Sequence, residues 1–170
     1  MTLVDEIKLL LEAPTMNARD VRTILRNDYD EILILARDMY ESESGEERRA
    51  LLRQLKPALV LHARAEEKEV YDSLLKLADS DLHALAYEGY VEHGMVDDLL
   101  EKLLKSRKTE TDEWKAHAKV LLDFLERHIE HEQSHVLPAL EEHYNDDERE
   151  AIGRRFNAAK ARLSMKLKAA

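Results

Sequence analysis

The chain has 170 residues, 44% of them hydrophobic and 36% charged, with only 4 glycines and 3 prolines, a balance that suits one domain built of long amphipathic helices. Its formal net charge of −10 comes without a dense Lys/Arg block, which argues against nucleic acid and anionic membrane surfaces as partners. There is no cysteine, so disulfides, thiolate metal sites, iron–sulfur clusters and thiol nucleophiles are excluded. No secretory leader is read after Met1 and no apolar run approaches the ~18 residues of a membrane span, so a cytoplasmic location is expected.

Residues 2–12 read as a short amphipathic helix closed by Ala13-Pro14, with Thr15 or Asn17 available to cap the next helix. Val21, Ile24, Leu25, Ile32, Leu35 and Met39 recur at helical spacing and predict a helix from about Ala18 to Glu41. After a turn at Ser42 to Gly45, a second helix is expected from about Glu46 to Ala78, kinked or broken at Pro57. Asp79-Ser80-Asp81 supplies a turn and a cap for a third, about Leu82 to Lys105, in which Gly89 and Gly94 signal close packing or a distortion. A fourth starts at Thr109 to Thr111 and reaches about His143, with Pro138 bending or ending its regular part near Val136.

Asn145-Asp146-Asp147 caps a last helix, about Asp147 to Lys168. Its basic residues Arg154, Arg155, Lys160, Arg162, Lys166 and Lys168 form either a solvated face or a docking surface for an acidic partner. No alternating apolar run is flanked by turns, so no strand is expected. The prediction is an all-α, up-down-up-down four-helix bundle with a core of about 18–144, flanked by helices at about 2–12 and 147–168.

Two copies of one pattern stand 66 residues apart: His62-x-x-x-Glu66 and His128-x-x-x-Glu132. Each sets an imidazole and a carboxylate one turn apart on the same helix face. The repeat extends further, since Asp28-Tyr29-x-x-Ile32 matches Glu92-His93-x-x-Val96 at an offset of 64. Two helical hairpins related by a pseudo-two-fold axis are therefore predicted, an arrangement that holds two metal ions with matched ligands from each half. A single His-x-x-x-Glu on a charged helix is ordinarily a surface pair. Two copies in register, with His93 at a third matched place, point to metal. Imidazole with carboxylate suits Fe, Mn, Zn or Cu. Glu66 and Glu132 are the natural bridges, because each carboxylate has two oxygens to share and its charge offsets that of buried cations.

These motifs resemble the haemerythrin-like (HHE cation-binding) family over about Ala18 to Tyr144. The resemblance implies a four-helix bundle holding two iron ions in a non-haem, oxo- or hydroxo-bridged centre, with Mn or Zn as alternatives. It places the metal ligands at His62, Glu66, His93, His128 and Glu132. Glu67, and Val136 to Leu140 after the last motif, also fit.

One place departs from the family: where a first-helix His is usual, this chain has Tyr29. Three roles are open to it: a phenolate ligand to a ferric ion, a protonated hydrogen-bond donor, or the mark of a weakened metal position. His135 is a further candidate ligand, because Glu132-x-x-His135 has the spacing of the E-x-x-H motif of ferritin-like bundles; its mate in the repeat is Glu69. Asp97 is a candidate to fix the His93 tautomer. His83, His117, His131 and His143 read as ordinary residues, and Tyr87 and Tyr90 as core packing.

The resemblance implies handling of a small diatomic or peroxide ligand: dioxygen, peroxide or nitric oxide, bound, sensed or processed. If the protein is an enzyme, it is a di-iron oxidoreductase acting on peroxide or a related small oxidant. The alternative is a metal- or redox-responsive regulatory or iron-handling module without turnover, with a protein partner or electron donor. A bundle with no metal is the third reading. Oligomeric state is not legible.

Overall fold

A computed structural model describes residues 19–169, so the expected helix at 2–12 and its caps Thr15 and Asn17 lie outside the described residues. The described chain is helical throughout its regular parts: α1 (Val21–Glu41), α2 (Gly45–Glu66), α3 (Ser80–Lys105), α4 (Asp112–His143) and α5 (Asp146–Ala169), with no strand among the described residues. Each start is chemically marked. Asp20 caps α1 by accepting from Arg22 N–H, and Ser44 caps α2 through Glu47 N–H. Asp79 takes Asp81 and Leu82 N–H at the start of α3, and Thr111 takes Trp114 N–H at the start of α4. At α5, Asn145 and Glu148 exchange side-chain-to-backbone bonds of 3.0 and 2.8 Å, a capping box.

α1 packs on α2 and α4, and α4 on α3, while α3 closes the ring against α2 and the turn beyond its end. Short connections between neighbours make these antiparallel, as predicted. Pro57 and Pro138 lie inside continuous helices, so neither the break offered for Pro57 nor the termination offered near Val136 occurs. Pro57 and Pro138 are exposed, and so are Arg53 and Ser134, the residues whose carbonyls lose an intrahelical partner. Water can satisfy them there.

The expected second helix does not run regularly to Ala78. It passes into a π-helical turn, Glu67–Tyr71, and a closing turn, Asp72–Leu74. Asp72 N–H donates to Glu67 C=O, the wide i→i−5 bond of that turn. The extra residue brings both Val70 and Tyr71 into the interior.

In α5 Arg154, Arg155, Arg162 and Lys166 are exposed, while the opposite edge is apolar. Ile152, Phe156 and Ala159 are buried against α1 and α2. Gly153 allows the approach, since a Cβ there would lie 2.2 Å from the Arg19 carbonyl oxygen. Arg149 Nε donates to the buried Asp20 at 2.9 Å, tying the start of α5 to the start of α1.

Candidate metal centre

The inward row of each bundle helix is apolar until mid-bundle, where it changes character. On α2 it reads Leu52, Leu55, Leu59, His62, Glu66; on α4, Leu121, Leu125, His128, Glu132, Val136. On α3, His93 sits between Gly89 and Val96, and on α1 Tyr29 sits between Leu25 and Ile32. The same periodicity that builds the core therefore delivers three imidazoles, two carboxylates and a phenol to one level of it. All six side chains are buried, Tyr29 and Glu66 completely.

One atom from each of Glu66, His93, His128 and Glu132 lies within 4.8 Å of all the others, a group that could hold a metal ion. His62 joins from the adjoining side, its Nε2 3.3 Å from Glu66 Oε2. His93 Nε2 is 3.5 Å from the same oxygen, and His128 Nε2 is 3.5 Å from Glu132 Oε2. His93 Nε2 and Glu132 Oε2 are nevertheless buried without an aligned hydrogen-bond partner. Orphaned buried donors and acceptors are costly, and a cation at this point would satisfy them. The donor chemistry and the orphaned atoms both fit a transition-metal ion.

The other nitrogen of each ring is tied to a carboxylate. Asp28 Oδ2 faces His62 Nδ1 at 3.1 Å, Glu67 Oε1 faces His93 Nδ1 at 3.1 Å, and Glu92 Oε2 faces His128 Nδ1 at 2.6 Å. This carboxylate–histidine arrangement fixes the tautomer and turns Nε2 to the centre. Sequence reasoning identifies none of the three as an orienting group. Asp28 and Glu92 are visible only as the matched residues before Tyr29 and His93, and each holds the imidazole of the following helix. Asp97, the expected tautomer-fixing group for His93, is paired with Arg64 instead.

Tyr29 points its hydroxyl at Glu66 Oε1, 3.5 Å away, and its ring stands edge-on to His62. Tyr71, which sequence reasoning missed, comes in from the π turn. Its hydroxyl donates to Glu132 Oε1 and lies 3.5 Å from Glu66 Oε2. Gly89 makes the space for it: a Cβ there would lie 2.4 Å from Tyr71 Cζ. Gly94 has nothing near it, so only one of the two flagged glycines marks close packing.

His135 falls outside the site. Val136 continues the inward row, which leaves His135 exposed with Nδ1 against the His131 carbonyl at 2.9 Å and its ring beside His131. Its mate Glu69 is buried but accepts from Arg155 at 2.8 Å. Tyr87 is exposed rather than packed in the core, and Tyr90 donates to Glu67 C=O and to Asp72.

Without metal, the electrostatics are those of packed ion pairs. Burial opposes the charge on His62, but Glu66 and Asp28 outweigh it and hold the imidazole up at about 10. Burial likewise disfavours charge on His93, yet Glu66 and Glu67 raise it to about 9. Glu66 is the reverse case: burial would raise it, and the neighbouring His62 and His93 pull it well below the carboxylate range. Burial and the adjacent Glu66 raise Glu132, so the two carboxylates do not ionise with equal ease. Burial and the two carboxylates keep the Tyr29 and Tyr71 phenols far above their ordinary value, as donors.

Beside the three imidazoles is a small cavity of about 20 Å³, lined otherwise by Ile32, Leu59, Ala63, Val96, Leu125 and Ile129. By helical register Ile32, Leu59, Val96 and Leu125 lie about one turn from Tyr29, His62, His93 and His128. The cavity and the carboxylates thus flank the imidazole level from opposite sides. Larger surface grooves exist, such as that beside Trp114 and His117, but they are open and far from this chemistry.

Comparison with known proteins agrees with this geometry. The model of the Hemerythrin HHE cation binding domain matches residues 19–140. A protein named DNA nickase from Nostoc sp. (strain PCC 7120) is 26% identical over 153 residues, which is 89% of this chain and 41% of that protein. The chain thus spans well under half of this relative. No solved structure matches. The chain belongs to the haemerythrin HHE cation-binding family.

Proposed function

Proceeding from that family membership, we propose that the chain binds two iron ions about Glu66 and Glu132 and uses them to bind or process a small oxidant: dioxygen, peroxide or nitric oxide. The observation that carries this reading is the trio of imidazoles, each held at Nδ1 by a carboxylate and aimed through Nε2 at two buried carboxylates. Glu66, His93, His128 and Glu132 would hold one ion, and His62 with Glu66 the other. Bound iron would supply electron exchange with the oxidant. The protein does the rest. The 20 Å³ chamber has room for about one water-sized molecule, and its apolar walls favour a diatomic or peroxide over larger substrates.

Tyr29 and Tyr71 each hold a proton on a phenol oxygen directed at the carboxylates. In this reading Tyr29 takes the second of its three possible roles, a donor to Glu66. Tyr29→Phe should leave the visible spectrum of the iron-loaded protein without loss of a phenolate-to-iron band. A band present in the wild type and lost in the variant would make Tyr29 a ligand.

Elemental analysis after anaerobic ferrous loading tests the whole reading. Two irons per chain are expected, and none would overturn it. Elemental analysis of the protein as purified reports whether Mn or Zn takes iron's place. Peroxide turnover above that of free iron would make the protein an oxidoreductase, whereas reversible oxygenation spectra would make it a carrier. The nickase's activity is not carried across, since a net charge of −10 without a basic block opposes a polyanion.

A second reading, a metal-responsive module, is favoured by the bond that ties α5 to Asp28, the carboxylate that orients His62. Metal bound only by the folded state adds stability, so iron removal should lower the thermal midpoint. An unchanged midpoint would sink this reading.

A further inference from the structure

Three basic side chains of α5 reach the bundle. Arg149 meets Asp20, Arg155 meets Glu69, and Lys160 reaches Asp28, the residue that orients His62. The last contact is the closest to the metal centre. Lys160 Nζ bonds both oxygens of Asp28, at 2.8 and 2.6 Å, and the second of these also accepts from His62 Nδ1. One turn earlier on α5, Phe156 packs edge-on against the His62 ring, with centroids 5.9 Å apart. Two side chains of a helix outside the four-helix ring thus bear on one ligand.

The other two imidazoles are supported differently. Glu67, which holds His93, is gripped by Arg64 of α2 itself. Glu92, which holds His128, has no Lys or Arg bonded to it among the described residues. Of the three orienting carboxylates, only Asp28 is fixed from a fifth helix. Asp28 retains 12% side-chain exposure, so without Lys160 it can turn toward water and release the ring.

Resting on the two-ion reading above, we propose that Lys160 is a positioning residue for the metal centre. By gripping Asp28 it fixes the His62 imidazole, and the tightness of the His62 metal position depends on this contact from α5. The four-donor position at Glu66, His93, His128 and Glu132 does not depend on it. Loading is therefore stepwise, with the four-donor position filling first and the His62 position second.

Calorimetric titration of the full metal-free chain with Co²⁺, read together with ligand-field absorption, tests this. The wild type should show two binding events. Lys160→Met and Lys160→Gln should each weaken the second by ~10–100-fold, the effect of losing a residue that orients a ligand, alter the absorption of the second cobalt, and leave the first event unchanged. Lys160→Arg should restore the second event. Arg155→Met, which removes another tie of α5 without touching Asp28, should leave both events as in the wild type.

Two wild-type events with unchanged affinities in both Lys160 variants would overturn the inference while the two-ion reading stands. Arg155→Met weakening the second event as much as Lys160→Met would also overturn it, since the effect would then be general docking of α5. Fewer than two cobalt ions in the wild type would overturn the two-ion reading itself.

Discussion

Glu66→Gln is expected to strip metal from both of the proposed positions. Glu66 is the hub of the site: its carboxylate lies 3.3 Å from His62 Nε2, 3.5 Å from His93 Nε2, and 3.5 Å from each of the Tyr29 and Tyr71 hydroxyls. Among the described residues Glu66 is the carboxylate within reach of His62 Nε2, whereas Glu132 meets Tyr71 and His128. Glutamine keeps the shape but offers one oxygen, no charge, and an amide nitrogen that cannot accept from the phenol facing it. Affinity at both positions should fall by more than the ~10–100-fold that an orienting residue costs. Glu132→Gln should spare the His62 position more than Glu66→Gln does. Metal content after dialysis reads this directly, and an E66Q chain retaining both ions would show that the carboxylate is not shared.

The metal-free protein carries the same prediction in its pH dependence. His62 is raised from 6.5 to about 10 in the fold, so its stabilising contribution is fully present below pH 6.5 and is lost as pH rises toward 10. The partner Glu66 is lowered from 4.5, so its contribution is present above pH 4.5 and is lost as pH falls further. Metal-free wild type should therefore be most stable between these limits and lose stability on the alkaline side. E66Q should flatten the alkaline slope. Thermal midpoints across pH 5 to 10 check both statements.

The residues of the candidate site could be read from the sequence because they occupy core positions in polar form. Leu55, Leu59, His62 and Glu66 are one inward row, and two polar residues continuing an apolar stripe are conspicuous when the row repeats at 128 and 132. The expected order of helices followed from the same periodicity. Asp28 and Glu92 lay in plain view in the repeat, but a carboxylate that acts through the next helix cannot be told from a surface acid until the helices are packed. His135 misled because spacing along α4 says nothing of which residue continues the row once Val136 takes it. Tyr71 was hidden for a different reason. The π turn inserts one residue into the register without any Gly or Pro to announce it, and every inward assignment based on a 3.6 period fails beyond it. The basic residues of α5 suggested a solvated face, which Arg154, Arg162 and Lys166 form, and Ile152, Phe156 and Ala159 already gave the helix an apolar edge.

Gly89→Ala should be strongly destabilising although alanine is the better helix former. The helix-propensity gain on α3 is about 1 kcal/mol. Against it, the new methyl would lie 2.4 Å from Tyr71 Cζ, 2.5 Å from its hydroxyl and 2.6 Å from Cε2. The ring is fully buried, lies between Tyr90 and His93 at centroid distances of 5.6 and 5.5 Å, and has its hydroxyl on Glu132. It has no solvent to swing into. Overpacking of this kind costs ~1–3 kcal/mol, and a displaced hydroxyl gives up a buried bond to a carboxylate, about 1.5–3 kcal/mol. The net expectation is a loss of ~2–4 kcal/mol, or a fall in the thermal midpoint of roughly 5–15 °C for a chain of this size. Tyr71→Phe removes only the hydroxyl and should lose about 1.5–3 kcal/mol. Tyr71→Leu combined with Gly89→Ala should recover stability relative to the sum of the single changes by ~1 kcal/mol or more, because the shortened side chain no longer meets the methyl. Additivity of the two, or a raised midpoint in Gly89→Ala alone, would mean that the glycine is not what admits Tyr71 to the carboxylates.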